Sequence, residues 1–160
     1  MRFVSILLSC IVLCVTGCTP DETDDKDVDL ITVFRKERQT FDRLLSMIQV
    51  DHGLERVDYN WTLPDPPKIS QERLAEYRKL LKSIGCTRGF ENFKGKNEIV
   101  FIASASGMAT GGSSKGYYYS EVSPSPLVDD LDSYRPGHNR SYAAFHHIEG
   151  NWYLSYEYDD

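Results

Sequence analysis

SYAAFHHI (Ser141–Ile148), EG (Glu149-Gly150) and NWYLSYEY (Asn151–Tyr158) form the stretch whose reading decides the fold. Two runs rich in aromatic and β-branched residues flank a two-residue link, the sequence signature of a β-hairpin closed by a tight turn. Upstream, Gly89–Phe93 and Glu98–Ser104 are two further short runs, separated by the turn residues Lys94-Gly95-Lys96-Asn97. Within the second, Ile99-Val100-Phe101-Ile102 is apolar on both of its faces, as a central strand is. Lys115–Glu121 supplies one more. About five strands with short turns between most of them predict an antiparallel sheet.

Before Cys86 the apolar period is different. Phe34, Phe41, Leu44, Leu45 and Ile48 recur at three- and four-residue spacing, the buried stripe of an amphipathic helix running from Leu30 to Val50, with Gly53 ending it. A proline-rich connection, Leu63–Lys68, leads to a second helix. Ser70 is placed to cap its amino end, Ile69 and Leu74 to staple it, Leu74, Tyr77, Leu81 and Ile84 to form its buried face, and Gly85 to end it in a left-handed conformation. Helices that precede strands rather than alternating with them give an α+β class. The expectation is one domain, residues 30–160, with two N-terminal helices packed on one face of the antiparallel sheet of about five strands.

The first 29 residues read differently. Arg2 is followed by the apolar run Phe3–Val15 and then Thr16-Gly17-Cys18. At 1.5 Å per residue that run reaches roughly 20 Å, short of the ~30 Å hydrocarbon core of a bilayer, so it reads as a secretory signal rather than a membrane span. Val15-Thr16-Gly17-Cys18 resembles the lipobox of bacterial lipoproteins. The resemblance implies that residues 1–17 are removed and that Cys18 is lipidated. It also implies, because Thr rather than Asp stands at position 19, sorting to the periplasmic face of the outer membrane. Several acyl chains on one cysteine make such an anchor effectively permanent.

The net charge of −6 is unevenly spread. Thr19–Asp29 carries six acidic residues against Lys26, which predicts that residues 18–29 are a solvated, extended tether. The rest is near neutral, basic residues being in excess up to Lys115 and acidic ones after it, so nucleic acid is not an expected partner. Of the four cysteines, Cys10 and Cys14 leave with the signal and Cys18 is acylated. Cys86 remains without a disulfide partner, and the domain relies on its core.

Two long connections stand out. Ala105–Ser114 has the glycines and serines of a phosphate-cradling loop, but the Walker pattern requires glycine directly before Lys115, where Ser114 stands. Ser104-Ala105-Ser106-Gly107 with Lys115-Gly116 resembles the serine-glycine loop and downstream lysine of membrane-bound lysozyme-inhibitor lipoproteins. That resemblance implies a loop inserted into an enzyme cleft, with Ser106 and Lys115 meeting catalytic carboxylates. Val122–Arg140, with Ser123-Pro124-Ser125-Pro126, is long enough to be functional and equally suited to covering a sheet edge.

Catalytic templates each lack a part. No G-x-S-x-G surrounds Ser104 or Ser106. Cys86 follows a helix, unlike the helix-opening cysteine of cell-wall endopeptidase lipoproteins, and His146 and His147 fall on opposite faces of a strand. No metal, cofactor or enzymatic activity is expected. What remains is a concentration of tyrosines in the carboxyl half, half of them expected outward, with Tyr118 and Tyr153 as candidate contacts beside Ser106 and Lys115. The expected function is non-enzymatic protein binding in the envelope, as an inhibitor or immunity protein, or alternatively binding of peptidoglycan or another glycan.

Overall fold

The apolar stripe expected to run unbroken from Leu30 to Val50 is carried by two helices, α1 (Asp27–Lys36) and α2 (Arg38–Val50), which meet at Glu37. The computed structural model describes residues 25–86, 88–93, 96–108, 111–137 and 141–160. The signal segment, Cys18 and the acidic stretch through Asp24 lie outside these residues, as do Lys94-Gly95 and Arg140. Glu37 ends α1, its backbone N–H reaching the Val33 carbonyl, and its own carbonyl accepts from the Phe41 amide to begin α2. The third helix, α3 (Gln71–Ser83), follows the expectation closely. The Ser70 hydroxyl accepts from the Arg73 amide at 3.2 Å, and Gly85, at φ +76°, leaves the helix in the left-handed region. The described residues thus hold three helices in place of two. Among the described residues none is long and apolar enough to cross a membrane.

The sheet has seven strands rather than five. Five are the expected ones: β3 (Phe90–Phe93), β4 (Glu98–Met108), β5 (Gly111–Ser120), β6 (Tyr142–Glu149) and β7 (Trp152–Asp159). Two-residue strands β1 (Arg56–Val57) and β2 (Thr62–Leu63) extend the β3 edge, giving the order β2-β1-β3-β4-β5-β7-β6 with every neighbour antiparallel. The Gly/Ser stretch expected as a loop is strand. Pairing of β4 with β5 continues through Ala105↔Ser114, Ser106↔Ser113 and Gly107↔Gly112 to Met108↔Gly111. Backbones come close along this arm: at Gly116, opposite the bulge between Ile102 and Ser104, a Cβ would sit 2.1 Å from the Phe101 carbonyl oxygen. The carboxyl hairpin closes through Gly150-Asn151, one residue later than expected, because Glu149 pairs with Trp152 beyond a bulge. The long Pro-rich connection covers an edge. Phe145 donates to the Pro126 carbonyl at 3.0 Å and Val128 donates to the Phe145 carbonyl at 2.8 Å, shielding the free side of β6.

All three helices pack on one face. Phe41 of α2 is the centre of that core, its ring 4.6 Å from Tyr117, 5.5 Å from Trp152 and 5.9 Å from Phe101. Leu74, Tyr77, Leu81 and Ile84 bury the expected face of α3. The other face of the sheet has its own cluster, Val100, Ile102, Tyr118, Phe145 and Tyr153, drawn from strands alone.

The acidic segment does not stay solvated to Asp29. Asp27, assigned above to the tether, is a buried residue in the first turn of α1, so the packed structure already includes residues before Leu30. Its carboxylate lies 2.7 Å from the Lys115 ammonium and accepts the Leu131 amide at 2.8 Å. Asp132 completes the arrangement, 2.5 Å from the same ammonium and accepting the Asp27 amide at the helix amino end. Lys115, 2% exposed, therefore bolts α1 and the Leu131–Asp132 segment onto β5. Removing the one cation leaves the buried Asp27 carboxylate facing partly exposed Asp132 with no compensating charge. Lys115→Met should cost about 3–5 kcal/mol in a urea titration, whereas an exposed pair of the Arg43–Glu76 kind should cost under about 1 kcal/mol.

Candidate functional site

Side chains alternate across a pleated sheet, so the register assigns each to a face. Tyr156 belongs to the helix-side core, which puts Glu157 on the opposite face together with its row partners Ser114, Ala105 and Ala143. The next row toward the hairpin tip is Gly107, Gly112 and Asp159, and the row on the other side holds Ile102, Gly116, Ser155 and Phe145. The face away from the helices thus has an apolar, aromatic half and a half made of glycine, alanine and serine. Small side chains leave space there: a trough of about 780 Å³, with Arg88 on one side and Ser141 and Asp159 on the other. Ser141 donates to the Asp159 carboxylate, fixing that wall.

Glu157 is the charged group on the trough floor. Its carboxyl reaches solvent, but the surrounding walls strip part of its hydration and raise its pKa, with the charge of Glu91 on the same face adding to the effect. Arg88 is the cation at the same opening. The trough therefore offers hydroxyl and carboxyl groups, exposed strand backbone and one guanidinium, the equipment of a hydrogen-bonding receptor.

The four residues singled out from sequence fall in three places. Ser106 is exposed and its backbone borders the trough, but its pairing with Ser113, and through it with Tyr158, turns its side chain to the helix-side face. Lys115 is buried on the helix side in the clamp with Asp27 and Asp132, so it is closed to any partner. Tyr118 and Tyr153 do come together, directly opposed across β5 and β7 with ring centroids 6.4 Å apart, but they are 7% and 6% exposed and belong to the second apolar cluster. Burial, with Glu98 nearby, pushes the Tyr118 phenol up to about 12. The expected outward face of tyrosines is absent among the described residues of the carboxyl half: Tyr117 and Tyr156 are buried as well, and Tyr119, Tyr142 and Tyr158 are half-buried. Among the described residues the exposed aromatics are Tyr59 and Trp61, 78% and 44% exposed, on the β1–β2 turn. The run Asp58-Tyr59-Asn60-Trp61, with its aspartate and asparagine, was the signal in the sequence that could have located them.

Other reactive groups are committed elsewhere. Burial raises the pKa of the Cys86 thiol far above its usual range, so it is not a thiolate nucleophile. His146 bonds the Val128 carbonyl through Nδ1, and His147 the Gly150 carbonyl through Nε2, on opposite sides of β6. Asp27, Asp130 and Asp132 present oxygens within 4.8 Å of one another, a spacing compatible with a cation, and the Lys115 ammonium is the cation there. Asp130 is further engaged by the Ser133 hydroxyl and the Asp132 amide, which lower its pKa in that order of weight.

No family model, curated protein or solved structure matches this chain.

The raised Glu157 pKa fixes a sign. Folding favours the neutral acid, so this group stabilises the fold below its unfolded pKa of about 4.3, and that contribution is lost as pH rises through the folded value. Glu157→Gln should raise the melting temperature at pH 7 and leave it unchanged near pH 3; thermal unfolding at the two pH values measures the difference.

Proposed function

We propose that this chain is a lipoprotein anchored through Cys18 to the periplasmic face of the outer membrane, acting without catalysis as a protein-binding module. Its task in this reading is to inhibit, or confer immunity against, an enzyme that attacks the envelope, and the trough is its binding face. The observation that carries the reading is the trough itself: about 780 Å³ on the sheet face that no described helix covers, holding Glu157 and bordered by Arg88. That volume is in the range of specific recognition clefts, roughly 300–1,000 Å³. Its walls of glycine and serine admit a protruding loop of a partner and expose backbone and hydroxyl groups to it, while the carboxyl and guanidinium set the orientation. The neutral Cys86 thiol and the committed histidines favour binding over chemistry.

A second reading is favoured by Ser114 and Ser141 lying with Glu157 and Asp159 around one opening. Hydroxyl and carboxylate groups match the paired hydroxyls of a glycan, which makes peptidoglycan the alternative ligand.

Two experiments address these statements. In cells, Cys18→Ala should move the protein from the membrane fraction to the soluble periplasm, and continued membrane retention would remove the anchor from the account. For the partner, residues 25–160 hold every described helix and strand and both apolar clusters, so they serve as bait. The bait is exposed in parallel to envelope extract and to purified peptidoglycan. A single stoichiometric protein, lost when Ser114→Trp fills the trough, is the expected result. Retention on peptidoglycan alone, abolished by the same substitution, would establish the glycan reading instead.

A further inference from the structure

The carboxyl end of α3 borders a second cavity, of about 490 Å³, on a different surface from the trough. Its interior is mostly apolar, lined by Leu81, Cys86 and Tyr59 together with Arg78, Lys79 and Lys82. Their charges gather at the rim. Lys79 and Lys82 are exposed and make no ion pair among the described residues, and Arg78 donates to the Asp58 carbonyl at 3.1 Å. The acid lining the cavity, Asp58, is offset by Arg56 at 3.6 Å. In a chain of net charge −6, this is a cationic spot around an apolar opening. Beside it stands the turn joining β1 to β2, which exposes Tyr59, Trp61 and Leu63. Trp61 and Leu63 lie on the side of the chain opposite buried Thr62, and Tyr59 is exposed on the turn just before them.

We infer that this surface docks on an anionic phospholipid bilayer. Aromatic rings with a polar end settle at the bilayer interface, and lysine stems lie along apolar surface while their ammonium groups reach acidic headgroups. Charge complementarity selects the occupant. An apolar peptide would leave three cations uncompensated, whereas an anionic leaflet satisfies them and offers hydrocarbon to the cavity and to the Tyr59–Leu63 turn. The consequence is orientation: a chain tethered near a membrane would also lean on it through this surface. The surface is separate from the trough, so either assignment can fail without the other.

Of the two tryptophans, Trp152 is 2% exposed and Trp61 is 44% exposed, so intrinsic fluorescence reports on Trp61. Residues 25–160, which lack the acylated cysteine, are titrated with vesicles of phosphatidylglycerol and phosphatidylethanolamine, and separately with phosphatidylcholine vesicles. The expected result is a blue shift and quenching by brominated lipid with the anionic vesicles alone, reversed by salt. The double variant Lys79→Glu/Lys82→Glu should bind at least about 30-fold more weakly, with unchanged circular dichroism and a melting temperature lowered by no more than a few degrees, because Lys82 lies in the last turn of α3. Trp61→Phe should abolish the shift. No shift with anionic vesicles at low salt, an equal response to phosphatidylcholine, or an unaltered double variant would overturn the inference. So would a shift given by monomeric fatty acid and not by vesicles, which would mark the cavity as a site for a single amphiphile.

Discussion

One buried ammonium organises this molecule. Lys115 lies between Asp27 and Asp132, and those three side chains join the amino end of α1, the middle of the long connection and the middle of the sheet, beside the apolar contacts of Leu30, Leu131 and Tyr117. The bond from the Asp27 amide to Asp132 and that from the Leu131 amide to Asp27 make the contact reciprocal. A buried charge pair lacking its full set of partners is a cost rather than a gain, so the three groups tolerate one arrangement only. Tyr117, whose hydroxyl donates to the Leu30 carbonyl at 3.1 Å, repeats the same link one turn along α1. With α1 and the loop held to the helix side, no described helix covers the other face of the sheet.

That asymmetry leaves the trough open on the second face. The second face is divided between an aromatic patch, which closes on itself, and an arm of small residues, which cannot. Glycine and serine in strands pack poorly, and they are retained here where strand backbones approach closely and the trough needs its volume. Glu157 at the floor is held in an environment that opposes its charge, a condition that a bound donor or cation would relieve.

Much of the architecture was legible in the sequence because it rests on local pattern. The stripe from Phe34 to Ile48, the Ser70 cap and the hairpin before Trp152 each depend on spacing within a few residues. The break at Glu37 has no proline or glycine to mark it, so periodicity reads through. β1 and β2, at two residues each, are too short to display alternation. The clamp joins residues 105 positions apart, and composition placed Asp27 in a solvated run because its compensating lysine is invisible locally. The misplaced tyrosines are more instructive. Val100 and Ile102 already marked the second face as apolar, and Tyr118 lies opposite Val100 in register. That neighbour buries Tyr118, and Tyr153 beside it, and the exposed aromatic positions fall instead on the turn at Tyr59 and Trp61.

Native-state hydrogen exchange at the Leu131 amide tests the organising role of the clamp most directly, since that N–H donates to Asp27 from a segment otherwise outside the sheet and helices. If the clamp unites α1, the loop and β5, this amide exchanges only with the free energy of global unfolding, matching the amides of β5. Exchange at the rate of an exposed loop, while β5 stays protected, would contradict it and return the amino end of α1 to the tether.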